Sequence, residues 1–156
     1  MRIYLVAVGT RMPSWVVEGY QEYVRRLPRE CSLQLIEIPL SKRHKSMTGA
    51  QARQQEGQAM LAAVPKGCHV VALDVRGRQW TTEDLAGRLR DWMGSGRDVA
   101  LLVGGPDGLS QACLDGADLR WSLSALTYPH SLVRIVLAEQ LYRAWTLGIG
   151  HPYHRP

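Results

Sequence analysis

The chain has 156 residues, 46% hydrophobic and 21% charged, which is enough apolar material for one packed core and too little charge for a disordered polyelectrolyte. Its net charge of +5 favours a polyanionic partner, and its three cysteines, Cys31, Cys68 and Cys113, lack any C-x-x-C spacing, which argues against a disulfide framework or a zinc site and fits a reducing, cytoplasmic compartment. The start M-R-I-Y-L-V-A-V-G-T lacks a cleavage pattern and no apolar run is long enough for a bilayer, so an unprocessed protein away from membranes is expected.

The first strand is expected over 2–9, R-I-Y-L-V-A-V-G, followed by a helix over 14–27 with Trp15, Tyr20, Tyr23, Val24 and Leu27 available for burial. Arg25, Arg26 and Arg29 cluster at its end. A second strand, 33–39, leads into S-K-R-H-K-S-M-T-G, where Lys42, Arg43, His44 and Lys45 run together without a nearby acid; this is a solvated loop or a contact for phosphates. A weaker helix is expected over 51–63.

The strands at 69–75, H-V-V-A-L-D-V, and 99–105, V-A-L-L-V-G-G, are apolar without strict alternation, as strands covered on both faces of a parallel sheet are. Between them, 81–93 reads as an ordinary surface helix: Thr81 and Asp84 suit a capping box, Leu85, Leu89, Trp92 and Met93 share one face, and Gly94 and Gly96 end it. The fold class is α/β, a parallel-rich sheet flanked by helices in a single domain over 1–156.

After the fourth strand, V-G-G-P-D-G-L-S at 103–110 is either a binding loop, where glycines let backbone approach a ligand, or a tight turn with Ser110 capping the next helix. The patterns G-x-G-x-x-G after the first strand, G-x-x-x-x-G-K-[ST] and G-x-S-x-G are all absent, which removes the dinucleotide, P-loop and serine-hydrolase readings. A fifth strand is expected over 121–126. The following T-Y-P-H leads into a last helix that is apolar almost all round, with Glu139, Gln140, Arg143 and Thr146 as a narrow polar stripe. Such a helix is expected to pack on its own sheet and on a second subunit, as a homodimer. His130, Glu139 and Arg143 also offer chemistry, although a helix-capping histidine and an i,i+4 ion pair are commoner than catalysts.

The chain ends H-P-Y-H-R-P. His151 and His154 have an i,i+3 spacing that would suit a metal pair on a helix, but Pro152 interrupts one and no carboxylate pattern accompanies them, so no metal is expected. The alternatives are a frayed end and a functional arm.

Taken together, L-L-V-G-G-P-D-G-L-S, W-S-L-S-A-L-T-Y-P-H, V-R-I-V-L-A-E-Q-L-Y-R-A-W and H-P-Y-H-R, with V-A-V-G-T near the start and L-I-E-I-P in the second strand, resemble the RlmH family of the SPOUT superfamily across almost the whole chain. The resemblance implies a homodimer with a C-terminal trefoil knot. It also implies transfer of a methyl group from S-adenosylmethionine to N3 of a pseudouridine in large-subunit ribosomal RNA, in the helix 69 loop and on assembled ribosomes. By position it assigns cofactor contacts to Leu73, Gly104, Gly105, Leu123, Ser124, Ala125, Leu126, Thr127 and Tyr128, the last standing where relatives carry leucine.

Imide N3 must lose a proton to become nucleophilic, so a base or an anion-stabilising cation is wanted. In the tail, His154 suits the base, Arg155 the cation and Tyr153 a stacking or hydrogen-bonding surface, and the tail is expected to be loose until RNA binds. Arg25, Arg26, Lys42, Arg43 and Lys45 are the candidate phosphate contacts. The competing reading is a non-catalytic RNA-binding module, which explains the charge but neither the glycine turn nor the histidine-rich end.

Overall fold

The computed structural model describes residues 1–42 and 47–155. Five parallel strands, β1 (Arg2–Val8), β2 (Ser32–Ile38), β3 (His69–Gln79), β4 (Val99–Val103) and β5 (Leu119–Ser122), form one sheet in the order β2-β1-β4-β3-β5. Ile3 sits opposite Leu33 on one side and Val99 on the other, so β1 and β4 lie inside the sheet.

The unbroken apolar runs follow from covering both faces. On β1, Ile3, Leu5 and Ala7 point into one core while Val6 and Val8 point into another, and β4 divides Val99, Leu101 and Val103 from Leu102 in the same way. Helices α1 (Ser14–Val24), α3 (Thr82–Ser95) and α5 (His130–Gly148) supply Tyr20, Leu85, Leu89, Leu137 and Leu141 to the first core. Helices α2 (Gly49–Ala63) and α4 (Gln111–Gly116) supply Met60 and Cys113 to the second. All three cysteines are buried and unpaired.

Helix starts follow local chemistry. Thr48 and Thr81 each accept from the backbone three residues on, at Gln51 and Asp84, whose side chains answer the cap backbone; both boxes are closed. Gly96 closes α3 in the left-handed conformation. Two residues offered for burial are largely in solvent: Trp15 is 55% and Met93 36% exposed.

β4 ends at Val103 instead of 105, where the glycine turn begins, and β5 and β3 depart from their expected spans further. β5 stops at Ser122 instead of 126, because Ser122 Oγ donates to the Ser124 carbonyl at 3.0 Å and Ser124 Oγ accepts from Leu126 N at 3.0 Å, bending the chain out of the ladder. β3 runs on to Gln79 instead of ending at 75: Leu73 and Arg78 are both in register with Trp121, so 74–77 is looped out before pairing with β5 resumes.

Helix α5 is buried as its composition demands, but its polar side chains are placed unexpectedly. Thr146, assigned to the polar stripe, is fully buried and donates to the Arg143 carbonyl at 2.7 Å. Arg134 is only 2% exposed. It donates to Glu37 Oε2 at 2.7 Å and to the Gly9 carbonyl at 2.8 Å, tying the first turns of α5 to the ends of β1 and β2.

Candidate active site

In a parallel sheet the carboxyl ends of the strands are where ligands bind. Here residues 73–75 of β3 and the ends of β4 and β5, with the loop after β5 and the start of α5, line a cavity of about 550 Å³, a size suited to a small-molecule cofactor.

Its floor is the β4 turn. Gly108 N donates to the Gly105 carbonyl at 3.0 Å with Pro106 at the second position of the turn, and Gly108 takes φ 79°. At Gly104 a β-carbon would lie 2.5 Å from the Gly108 carbonyl carbon, so only glycine lets the chain close on itself here. The tight-turn reading holds, with Ser110 capping α4, and the same stretch lines the cavity.

Of the residues that the resemblance assigns to the cofactor, Leu73, Gly104, Gly105, Leu123, Ser124, Leu126, Thr127 and Tyr128 all line this cavity. Ala125 does not; it is exposed in the bend after β5. Leu73, Val103, Leu109, Leu123 and Val133 give apolar walls, and Ser122 and Ser124 hold the β5 loop in shape by the bonds described above. The lining contains one carboxylate, Asp74, and neither lysine nor arginine. That donor set does not suit phosphates; it does suit an uncharged nucleoside joined to a cationic group, as in S-adenosylmethionine.

His130, the first residue of α5, also lines the cavity. Its Nε2 lies 3.6 Å from where a Gly9 β-carbon would be, so it touches both the cavity and the β1 turn. Burial, and secondarily the Arg134 guanidinium, push its pKa below the ordinary histidine value, although Glu56 opposes this. Burial and Arg134 both favour the neutral imidazole. Sequence reasoning ranks His130 behind the tail, because a lone histidine at a helix start carries no sign of what it faces.

The tail is placed elsewhere. Gly150, at φ 72°, lets Gly150 N donate to the Leu147 carbonyl at 3.3 Å and His151 N to the Thr146 carbonyl at 2.9 Å, a Schellman closure that turns the chain back along α5. Tyr153 Oη then donates to Glu139 Oε1 at 3.2 Å, its ring meets Tyr142 edge-on at 4.7 Å, and the Arg143 guanidinium lies 5.0 Å from the ring centre. Burial and Glu139 together raise the Tyr153 pKa. His154 Nε2 lies 3.5 Å from Glu83 Oε1, with its side chain only 11% exposed.

The expected loose arm is therefore packed, because the helix cap aims it and Glu139, Tyr142 and Arg143 receive it. Glu139 stands about 14 Å beyond His130 along the axis at 1.5 Å per residue, and none of Tyr153, His154 and Arg155 lines the cavity.

The basic candidates are scattered. Arg25 and Arg26 both pair with Glu22, and Arg26 also lies over the rings of Tyr23 and Tyr142. Lys42 is exposed with no ion pair among the described residues, while Arg43 and Lys45 lie outside them. Among the described residues there is no cluster of three or more metal-ligating side chains, and no helix is long and apolar enough to cross a membrane.

A parallel sheet whose strand ends line a cofactor-sized cavity, free of lysine and arginine and beside a glycine turn, is an α/β fold with a candidate small-molecule site. The family model described as predicted SPOUT methyltransferase matches residues 1–154. The chain is 62% identical over 155 residues to ribosomal RNA large subunit methyltransferase H of Thioalkalivibrio sulfidiphilus (strain HL-EbGR7), covering 99% of each chain. It belongs to the SPOUT methyltransferase family and, within it, to the RlmH family that its motifs resemble. Two solved structures share the fold at low identity. One, a probable methylase family protein from Haemophilus influenzae Rd KW20, has a TM-score of 0.57 at 12% identity, over 99% of this chain and 70% of that one. The other, a probable methyltransferase from Bordetella pertussis Tohama I, has a TM-score of 0.57 at 15% identity, over 92% and 95%.

Proposed function

We propose that this protein methylates large-subunit ribosomal RNA from S-adenosylmethionine at N3 of a pseudouridine, in the helix 69 loop and on assembled ribosomes. It does so as a cytoplasmic homodimer, one domain per chain, with the C-terminal part of each threaded as a trefoil knot. The observation that carries the reading is the cavity: eight of the nine residues assigned to the cofactor by motif alone converge on it, and its lining matches a nucleoside cofactor without phosphates. The name of the 62% identical relative supports the ribosomal RNA substrate.

The bound cofactor supplies a methyl group already activated on sulfonium, for in-line displacement. The protein supplies position, exclusion of water and management of the imide proton. Leu73, Gly104, Gly105 and the 123–128 loop, Ala125 included, hold the cofactor. Asp74, the one carboxylate of the lining, would offer a counter-charge to the cofactor's cationic group.

Tyr153, His154 and Arg155 serve the cavity of the second subunit, because in their own subunit they lie far along α5: His154 takes the N3 proton, Arg155 stabilises the anion and Tyr153 stacks on the base. A second reading of the base is favoured by one observation: His130 already lines the cavity, where burial favours its neutral form. Single-turnover methylation separates the two. His154→Ala slows transfer at least about 100-fold if the tail supplies the base, and His130→Asn does so if α5 does. Unchanged rates in both variants would remove histidine base catalysis. Heat on titration with S-adenosylmethionine, together with mass mapping of ribosomal RNA from cells with and without the protein, tests the function itself. A pure RNA-binding module gives no heat.

A further inference from the structure

Of the cations that sequence clustering singles out, Lys42 is left free among the described residues and Arg25 and Arg26 are not. Arg25 and Arg26 spend their charge on Glu22. Arg11, Arg76 and Arg78 are exposed with no ion pair among the described residues; Arg11 follows the end of β1, and Arg76 and Arg78 come just after Asp74 and Val75, which line the cavity.

Each is carried on a stiff support. The loop 74–77 leaves β3 at Leu73 and returns at Arg78, both in register with Trp121. Asp74 and Val75 line the cavity, and Val75 is 62% exposed, so this excursion is the lip of the cavity mouth. Its return is clamped. A β-carbon on Gly77 would lie 2.6 Å from the Arg120 carbonyl carbon and 2.7 Å from Trp121 N, so the lip lies flush on the β5 backbone. Just beyond, Trp80 stacks on Trp121 with ring centres 4.6 Å apart.

Across β4, the β1 turn is fixed in another way. Gly9 N donates to the Ile38 carbonyl at 2.7 Å, and the Gly9 carbonyl is held by buried Arg134. Two residues on, Arg11 has φ 56°, the only positive φ outside glycine among the described residues. A left-handed arginine persists only where its surroundings over-determine it, and this one is presented to solvent with no ion pair among the described residues.

We infer that Arg11 and the Arg76–Arg78 lip form a two-armed clamp for the RNA backbone, standing on either side of the Gly104–Gly108 loop. Guanidiniums that are not neutralised by carboxylates and stand on rigid supports suit phosphate oxygens, and they bind at little ordering cost because the supports are already folded. The clamp positions the strand so that one base can enter between its arms. It carries no sequence information of its own, and it rests on the ribosomal RNA reading above for which strand is held.

The test is the salt dependence of binding to a large-subunit ribosomal RNA transcript, measured by filter retention across a KCl series. For the triple variant Arg11→Gln, Arg76→Gln and Arg78→Gln, the slope of log K against log salt becomes shallower by about 2, at roughly 0.7–0.9 for each phosphate no longer neutralised. Its heat with S-adenosylmethionine and its sedimentation match the wild type. The contrast variant, Arg25→Gln with Arg26→Gln, changes the slope less. The clamp is overturned by a wild-type slope in the triple variant, by an equal or larger change in the contrast variant, or by a wild type that does not bind the transcript. A shift in the sedimentation of the triple variant would also overturn it, making this strip a contact between copies. Absence of cofactor heat in the wild type would remove the methyltransferase reading while leaving the clamp to be judged on its slope.

Discussion

The two ends of α5 are held by opposite means. At its start, Arg134 is sunk in the protein and joined to Glu37 and the Gly9 carbonyl, elements from the other half of the chain. At its end, the tail rests on α5 and α3 through one hydroxyl-to-carboxylate bond, ring contacts, and a histidine beside the mostly exposed Glu83. Arg134 is buried although Glu37 reaches solvent, and a buried guanidinium with two charge-assisted bonds is costlier to displace than contacts like those of the tail, each worth about 1 kcal/mol or less. The difference separates a firmer wall from a movable arm: the cavity end is tied to β1 and β2, and the tail end can leave at small cost.

The contrast is tested most severely at Arg134. Arg134→Ala leaves the solvent-reaching Glu37 and the Gly9 carbonyl without this partner and is expected to lower stability by about 2 kcal/mol, read as a fall in the urea midpoint. A decrease under about 1 kcal/mol would make the start of α5 no firmer than its end. Next comes the floor of the cavity. Gly104→Ala places a β-carbon 2.5 Å from the Gly108 carbonyl carbon and is expected to weaken S-adenosylmethionine binding at least about tenfold, or about 1.4 kcal/mol, by calorimetry. Wild-type affinity would mean that the cofactor does not use this turn.

At the other end, Tyr153→Phe removes the bond to Glu139 and is expected to cost about 1 kcal/mol or less of stability, with cofactor heat unchanged and faster proteolysis after Gly148. Cleavage no faster than in the wild type would show that the tail is held by more than this bond.

The smallest effect is on pH dependence. Since His130 has a lower pKa folded than unfolded, the unfolded chain binds more protons as pH drops through 6.5. The contribution of His130 to stability is therefore complete above that pH and declines below it. Paired urea titrations at about pH 7.5 and about pH 5.5 should show a smaller decline in His130→Asn than in the wild type. Arg134 and Glu56 face this histidine, and Glu56 raises its pKa, so Glu56→Gln should widen the decline.

How much of this was legible follows the range of the interactions. The strands β1 and β4 announce themselves because both faces are apolar, and the helix caps at Thr81 and Ser110 are local patterns. The segments that line the cavity were legible through motif resemblance, residue by residue except at Ala125. The bulge of β3 was not: after Val75 the sequence R-G-R-Q has no apolar signal, and what holds it is the backbone of β5. Arg134 reads as a surface residue in any hydropathy pattern, and only the fold reveals its partner on β2. The docked tail depends on a helix cap that Gly150 hints at and on Glu139, which composition assigns to a solvent stripe. His130 is visible but underrated, since the cavity that gives it meaning is assembled from four separate segments.

The Arg134 tie also sets a timetable. Its two bonds bridge 97 and 125 residues of chain, so the ends of β1 and β2 stay untied until synthesis has passed residue 134. The N-terminal strands emerge from the ribosome first and wait for α5. A chain cut before α5 thus lacks His130 and Val133, the helix's share of the cavity lining.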